Sequence, residues 1–142
     1  MYLWPVNEMK ILLIEDNPDD VFLTKRVLDK LGYSDIDVAF NGSHALEYLF
    51  GSAFHFSDKQ LLSKPDLVLL DQRMPITDGI EFMEAIHSVF KHNNIPVIII
   101  TSSTLEREKQ RLFELGVIDY VGKPVNVEGL KRALKSIAPP TH

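Results

Sequence analysis

Three runs of aliphatic residues, 11–14, 67–70 and 97–100, break the otherwise mixed chain, each four residues long and none alternating with polar positions. A strand with one wet face alternates with a period of two. Unbroken runs of this length therefore predict strands covered on both sides, as in a parallel sheet held between two layers of helices. The segments between the runs carry helical periods. The first opens with Asn17 as an N-cap and Pro18 at the first helical position, and Asp19 and Asp20 suit the positive helix start. Leu23, Val27, Leu28 and Leu31 form its apolar stripe and Gly32 its stop.

A second helix is expected over 43–50. A third carries Phe82, Met83, Ile86, Val89 and Phe90, at offsets of zero, one, four, seven and eight, and ends before Pro96. The fourth, 105–115, is polar over most of its length, with Leu112 and Phe113 as its anchors and Gly116 as its close. The fifth places Val127, Leu130, Leu134 and Ile137 on one face and Lys131, Arg132 and Lys135 on the other. With weaker strands at 36–40 and 118–121, the order is strand then helix, five times over, which predicts a doubly wound α/β domain. One connection, 51–65, is longer than usual and carries Phe54, Phe56, Leu61 and Leu62; it is expected either to extend the second helix or to fold over the surface.

Composition narrows the possibilities. A chain of 142 residues, 45% apolar and 25% charged, has room for one domain with a substantial core. That domain is expected over 9–137, with short tails at 1–8 and 138–142 and no output domain. The absence of cysteine excludes a disulfide framework, a zinc-thiolate site and a cysteine nucleophile. A net charge of −5 and the lack of a basic block argue against direct nucleic-acid binding. No apolar run approaches the ~20 residues of a membrane span, and the first ten residues place charges and a proline where a signal peptide would be apolar. A soluble, cytoplasmic protein is expected.

In open parallel sheets the ligand site lies beyond the carboxyl ends of the strands. Here the first strand ends in Glu15 and Asp16, the third in Asp71, the fourth in Thr101 and Ser102, and the fifth runs into Lys123 and Pro124. Neighbouring strands would gather three carboxylates, a hydroxyl and an ammonium into one shallow pocket. Carboxylates so placed repel one another, and a hard divalent cation such as Mg²⁺ compensates them while leaving positions for phosphate oxygens. A carboxylate can attack a phosphoryl group if its oxygens are neutralised, and Lys123 and Thr101 are placed to contact them. Each residue also has a plain reading: a solvated turn for the acids, a helix cap for Thr101, a surface position for Lys123. The five histidines have no metal-ligand spacing. Separate plain readings would not put the polar groups at strand ends together.

These residues resemble the receiver domain of two-component response regulators, over 9–137. The most specific segment is Asp71-Gln72-Arg73-Met74-Pro75-Ile76-Thr77-Asp78-Gly79, which is similar to the family's phosphoacceptor loop. Glu15-Asp16-Asn17-Pro18 matches its acidic first loop, Thr101 its hydroxyl position, Tyr120 the aromatic three residues before the lysine, and Lys123-Pro124 its Lys-Pro pair. The resemblance implies a flavodoxin-like sheet of order 2-1-3-4-5. It implies that Asp71 accepts a phosphoryl group from the histidine of a sensor kinase or phosphotransfer protein. Asp16 and Asp71 would hold Mg²⁺ through side chains, Glu15 mainly through water, and Arg73 through its backbone carbonyl. Lys123, aimed inward by a cis Lys123–Pro124 bond, would bind a phosphate oxygen; Thr101 would move toward the phosphate and Tyr120 swing inward behind it.

Output would pass by contact with a downstream protein, or with a second copy through the face of the fourth and fifth helices. Kinase choice would lie around Val21 to Leu28. Arg73 and Ser103 occupy positions that tune rates in the family, and Ser102 fits a position where a small residue is usual. The long 51–65 connection is similar to single-domain regulators of the phytochrome-associated kind. Other readings are a phosphohydrolase of the haloacid-dehalogenase kind, a receiver acting as a phosphate-independent binding module, and a flavodoxin-like cofactor binder. The first needs a second acid where Arg73 stands and a cap for which there is little room; the complete acid, hydroxyl and lysine set argues against the second. The acids of the first loop, where small residues and backbone donors are needed, argue against the third.

Overall fold

A computed structural model of the chain describes residues 9–51, 61–73, 78–102 and 105–137. In chain order the elements are β1 (Ile11–Ile14), α1 (Pro18–Lys30), β2 (Ile36–Ala39), α2 (Gly42–Phe50), β3 (Leu67–Asp71), α3 (Gly79–His92), β4 (Val97–Thr101), α4 (Glu106–Glu114), β5 (Asp119–Gly122) and α5 (Val127–Leu134). The strands form one sheet of order β2-β1-β3-β4-β5, and every pairing is parallel. In register, Ile14 faces Leu70 across β1 and β3, and Asp71 faces Ile100 across β3 and β4. The three aliphatic runs are the central strands, buried throughout.

The pleat sends alternate residues of each run to opposite layers. Leu12, Ile14, Val68, Leu70, Val97 and Ile99 pack with Phe82, Met83, Ile86 and Phe90 of α3. Ile11, Leu13, Leu67, Leu69, Ile98 and Ile100 pack with Val27 and Leu28 of α1 and Leu130 and Leu134 of α5. Four helices begin at side-chain caps. Asn17 accepts from the Asp19 and Asp20 amides, Asn41 from His44, Asp78 from Glu81 and Asn126 from Gly129. α1 and α4 are followed by Gly32 and Gly116, at φ +94° and +99°, a left-handed turn that residues with a Cβ adopt reluctantly.

Several local expectations are corrected. Phe113 does not anchor α4: it is 44% exposed, and Leu112, with Leu115 and Val117 beyond the helix, enters the core instead. A periodic pattern identifies the apolar face of a helix but not which of two neighbouring residues reaches the core. β5 begins one residue later than expected, with Ile118 largely outside, and Leu23 and Leu31 are only partly buried whereas Thr24 of the same helix is fully so. α2 ends at Phe50 with Gly51 as its C-cap, and the Leu62 and Ser63 amides donate back to the Leu49 carbonyl at 2.6 and 3.3 Å; residues 52–60 of the long connection lie outside the described residues. Phe54 and Phe56 lie outside the described residues, as do both tails. Among the described residues, no helix is long and apolar enough to cross a membrane.

Candidate functional site

Because β1, β3, β4 and β5 lie side by side, their carboxyl ends share one rim of the sheet. Glu15 follows β1 and is fully buried; Asp16 is half-buried beside it. Asp71 and Thr101 are the last residues of β3 and β4, and both are buried. Lys123 follows β5 directly: its amide donates to the Thr101 carbonyl at 3.0 Å, and the Lys123–Pro124 peptide is cis. One carboxylate oxygen each from Glu15, Asp16 and Asp71 lies within 4.8 Å of the others. Lys123 Nζ stands 3.3 Å from Asp71 Oδ1, 3.3 Å from Glu15 Oε1 and 3.1 Å from Asp20 Oδ2.

Backbone amides complete the setting. Arg73 N–H donates to Asp71 Oδ1 at 3.2 Å and Asn17 N–H to Glu15 Oε2 at 3.4 Å. The Arg73 guanidinium turns away to Glu108 of α4, at 3.1 Å. Burial, then the adjacent Asp71 carboxylate, pushes the Glu15 carboxyl up to about 8, against the pull of Lys123 and the Asn17 amide. For Lys123 burial works downward, but the charges of Asp71, Glu15 and Asp20 and the Asp20 hydrogen bond outweigh it, and the ammonium is pushed up to about 12. Lys123 thus meets the carboxyl groups of Glu15, Asp20 and Asp71, and Asp16 completes the acidic cluster. Among the described residues Glu15 Oε1, although buried and 3.3 Å from Lys123 Nζ, accepts no hydrogen bond. An orphaned buried oxygen in a close set of carboxylates fits a hard divalent cation of the Mg²⁺ kind.

Tyr120 lies apart from this cluster, on the outer side of β5. It is 36% exposed, edge-on to Phe113 at 6.3 Å between ring centroids, with Lys109 Nζ 4.1 Å above its ring. Between Tyr120 and Thr101 is a cavity of about 10 Å³, lined also by Gln72, Ile99 and Leu112. The structure thus brings Glu15, Asp16, Asp71 and Lys123 together, places Thr101 on the same rim, and leaves Tyr120 outside it. Residues 74–77 of the Asp71 motif, and Ser103, lie outside the described residues.

Two residues were not anticipated. The sequence gives Asp20 only the role of a favourable charge at a helix start, although it stands four positions after Asp16, in the first turn of α1. Gln72, buried with an unpartnered Oε1, had no signal in the sequence at all.

Among curated proteins, the chain is similar to hybrid signal transduction histidine kinase I of Dictyostelium discoideum, 36% identical over 119 residues; the match spans 82% of this chain but 6% of the kinase. It is 35% identical over 128 residues to the probable methanogenesis regulatory protein FilR2 of Methanothrix harundinacea (strain 6Ac), covering 89% of this chain and 79% of that protein. Among solved structures, the bacteriophytochrome response regulator AtBRR superposes with a TM-score of 0.72 at 34% identity, over 94% of each chain. The receiver domain of sensor histidine kinase PA1611 from Pseudomonas aeruginosa PAO1, described with a magnesium ion coordinated in its active site cleft, superposes with a TM-score of 0.70 at 26% identity, over 91% of this chain and 96% of that one. Residues 11–135 match the profile of the response regulator receiver domain, and the chain belongs to that family of two-component signalling modules.

Proposed function

We propose that this receiver accepts a phosphoryl group on Asp71 from the phosphohistidine of a sensor kinase or phosphotransfer protein, and signals by changing its contacts with other proteins. The observation that carries the reading is the placement of Lys123 Nζ, 3.3 Å from Asp71 Oδ1, beside a set of three carboxylates. An Asp71 oxygen attacks phosphorus, the P–N bond breaks, and the leaving imidazole keeps the electron pair and takes up a proton. Lys123 is the ammonium that meets the phosphoryl oxygens, and the Thr101 hydroxyl is the donor on their other side. Asp16 and Asp71 side chains, the Arg73 carbonyl and, through water, Glu15 would hold Mg²⁺. When bound, that ion supplies neutralising charge to the phosphoryl oxygens. Apart from this transfer and the later hydrolysis of its own acyl phosphate, the domain is a switch and not an enzyme.

The switch works through Thr101 and Tyr120. As Thr101 moves toward the phosphate, Tyr120 turns inward behind it, toward the small cavity that both residues line. The exposed faces of α4, β5 and α5 would then present a new surface, to a downstream target or to a second copy of the chain.

The test is chemical mapping. After incubation with acetyl phosphate and Mg²⁺, borohydride reduces an acyl phosphate to an alcohol and releases phosphate, which leaves homoserine at the acceptor. Peptide mass spectrometry is expected to find it at position 71; a reduced residue elsewhere, or none, contradicts the proposal.

A further inference from the structure

We infer that Asp20 is a positioning residue for Lys123: from the first turn of α1 it fixes one N–H of the ammonium, so that the others stay directed at Asp71 and at phosphoryl oxygens arriving there. The inference rests on the reading of Lys123 given above.

An ammonium has three donors, and Lys123 meets three carboxylate oxygens, of Glu15, Asp20 and Asp71. Only the contact to Asp20, at 3.1 Å, has hydrogen-bond geometry. Asp20 is also set apart from the other two. It is half-exposed, whereas Glu15 and Asp71 are buried, and it is not among the three carboxylates gathered closely enough to share a cation. Its backbone is held at the helix start, because the capping Asn17 side chain accepts the Asp20 amide at 3.2 Å. A lysine side chain is long and flexible, and holding its tip in one place loses rotamer freedom at each use. An anchor outside the reacting centre meets that loss before the phosphoryl group arrives. When Asp71 is phosphorylated the negative charge moves outward from its carboxylate, and a lysine tethered on the solvent side stays within reach of it.

The experiment measures beryllofluoride affinity at saturating Mg²⁺ for the wild type and for Asp20→Ala, Asp20→Asn, Asp19→Ala and Lys123→Ala, each checked for native circular dichroism. The Lys123 ammonium is followed in parallel by ¹⁵N NMR. Asp20→Ala is expected to weaken binding about tenfold, as for the loss of one charge-assisted hydrogen bond at a partly wet site. Asp20→Asn, which keeps an acceptor oxygen, is expected to recover most of it, and Asp19→Ala, which removes a charge from the same helix turn, to leave it unchanged. The slowly exchanging Lys123 ammonium signal is expected in the wild type and in Asp20→Asn, and lost in Asp20→Ala. If Asp20→Ala behaves like Asp19→Ala, or binds more tightly than the wild type, the anchor is wrong. If Asp20→Asn fails as badly as Asp20→Ala, charge and not position is at work, and the inference is equally overturned. If Lys123→Ala binds as the wild type does, the reading of Lys123 itself fails, which separates that failure from the failure of Asp20.

Discussion

Glu15 shows at the scale of one residue what assembling this site involves. Its side chain is fully buried, and its carboxyl is held up at about 8, first by burial and then by Asp71. Between the ordinary carboxylate range and about 8 the folded protein therefore keeps a proton that the unfolded chain has released. The stabilisation from this group is complete at acid pH and is lost as the pH rises through about 8. Glu15→Gln keeps the shape and fixes the neutral state. Thermal unfolding in EDTA should place the variant close to the wild type at about pH 4 and increasingly above it as the pH rises to about 8; parallel pH profiles would contradict this. Legibility at this scale followed chain position. Glu15, Asp71, Thr101 and Lys123 could be picked out because each terminates a recognisable strand. The partnership of Asp20 with Lys123 spans 103 positions and depends on how α1 packs beside α5 on one side of the sheet, which no local pattern encodes.

At the scale of elements, the two layers of helices are held unequally. α3 starts at the Asp78 cap and buries Phe82, Met83, Ile86, Val89 and Phe90. Among the described residues, α4 starts at Leu105 with no side-chain cap hydrogen bond and buries Leu112 alone. The ion pairs that tie it to its surroundings, Arg73 with Glu108 and Arg111 with Glu84, are largely solvated, and pairs of that kind contribute little. Amides of α4 should therefore exchange with solvent at least about tenfold faster than those in the middle of α3, as hydrogen exchange followed by mass spectrometry would show. Equal protection would mean that α4 is fixed more firmly than its contacts suggest. A loosely held α4 beside Tyr120 is also the element best suited to shift when the rim changes charge. The sequence revealed this helix as polar and short of anchors, and it misled at Phe113, whose ring packs on Tyr120 instead of entering the core.

Over the whole molecule, the order of the sheet makes the site. With β1 between β2 and β3, chain direction across the sheet reverses there, and the crevice so formed is where ligands settle in open α/β sheets. Glu15 and Asp71 end the two strands that flank it, with Lys123 reaching in from β5. The aliphatic runs and helical periods were sufficient to identify five strands and five helices. They carried no information on lateral order, which came from resemblance, because unbroken apolar strands are alike in periodicity wherever they stand in a sheet.

The central claim is that this arrangement serves to place one phosphoryl group on Asp71. The measurement that tests it most directly is intact-mass spectrometry of the protein incubated with acetyl phosphate, with Mg²⁺ or with EDTA, beside Asp71→Asn. A gain of one phosphoryl group that needs Mg²⁺ and disappears in the variant is the predicted result. The same gain in Asp71→Asn, or no gain together with no binding of beryllofluoride, would contradict it.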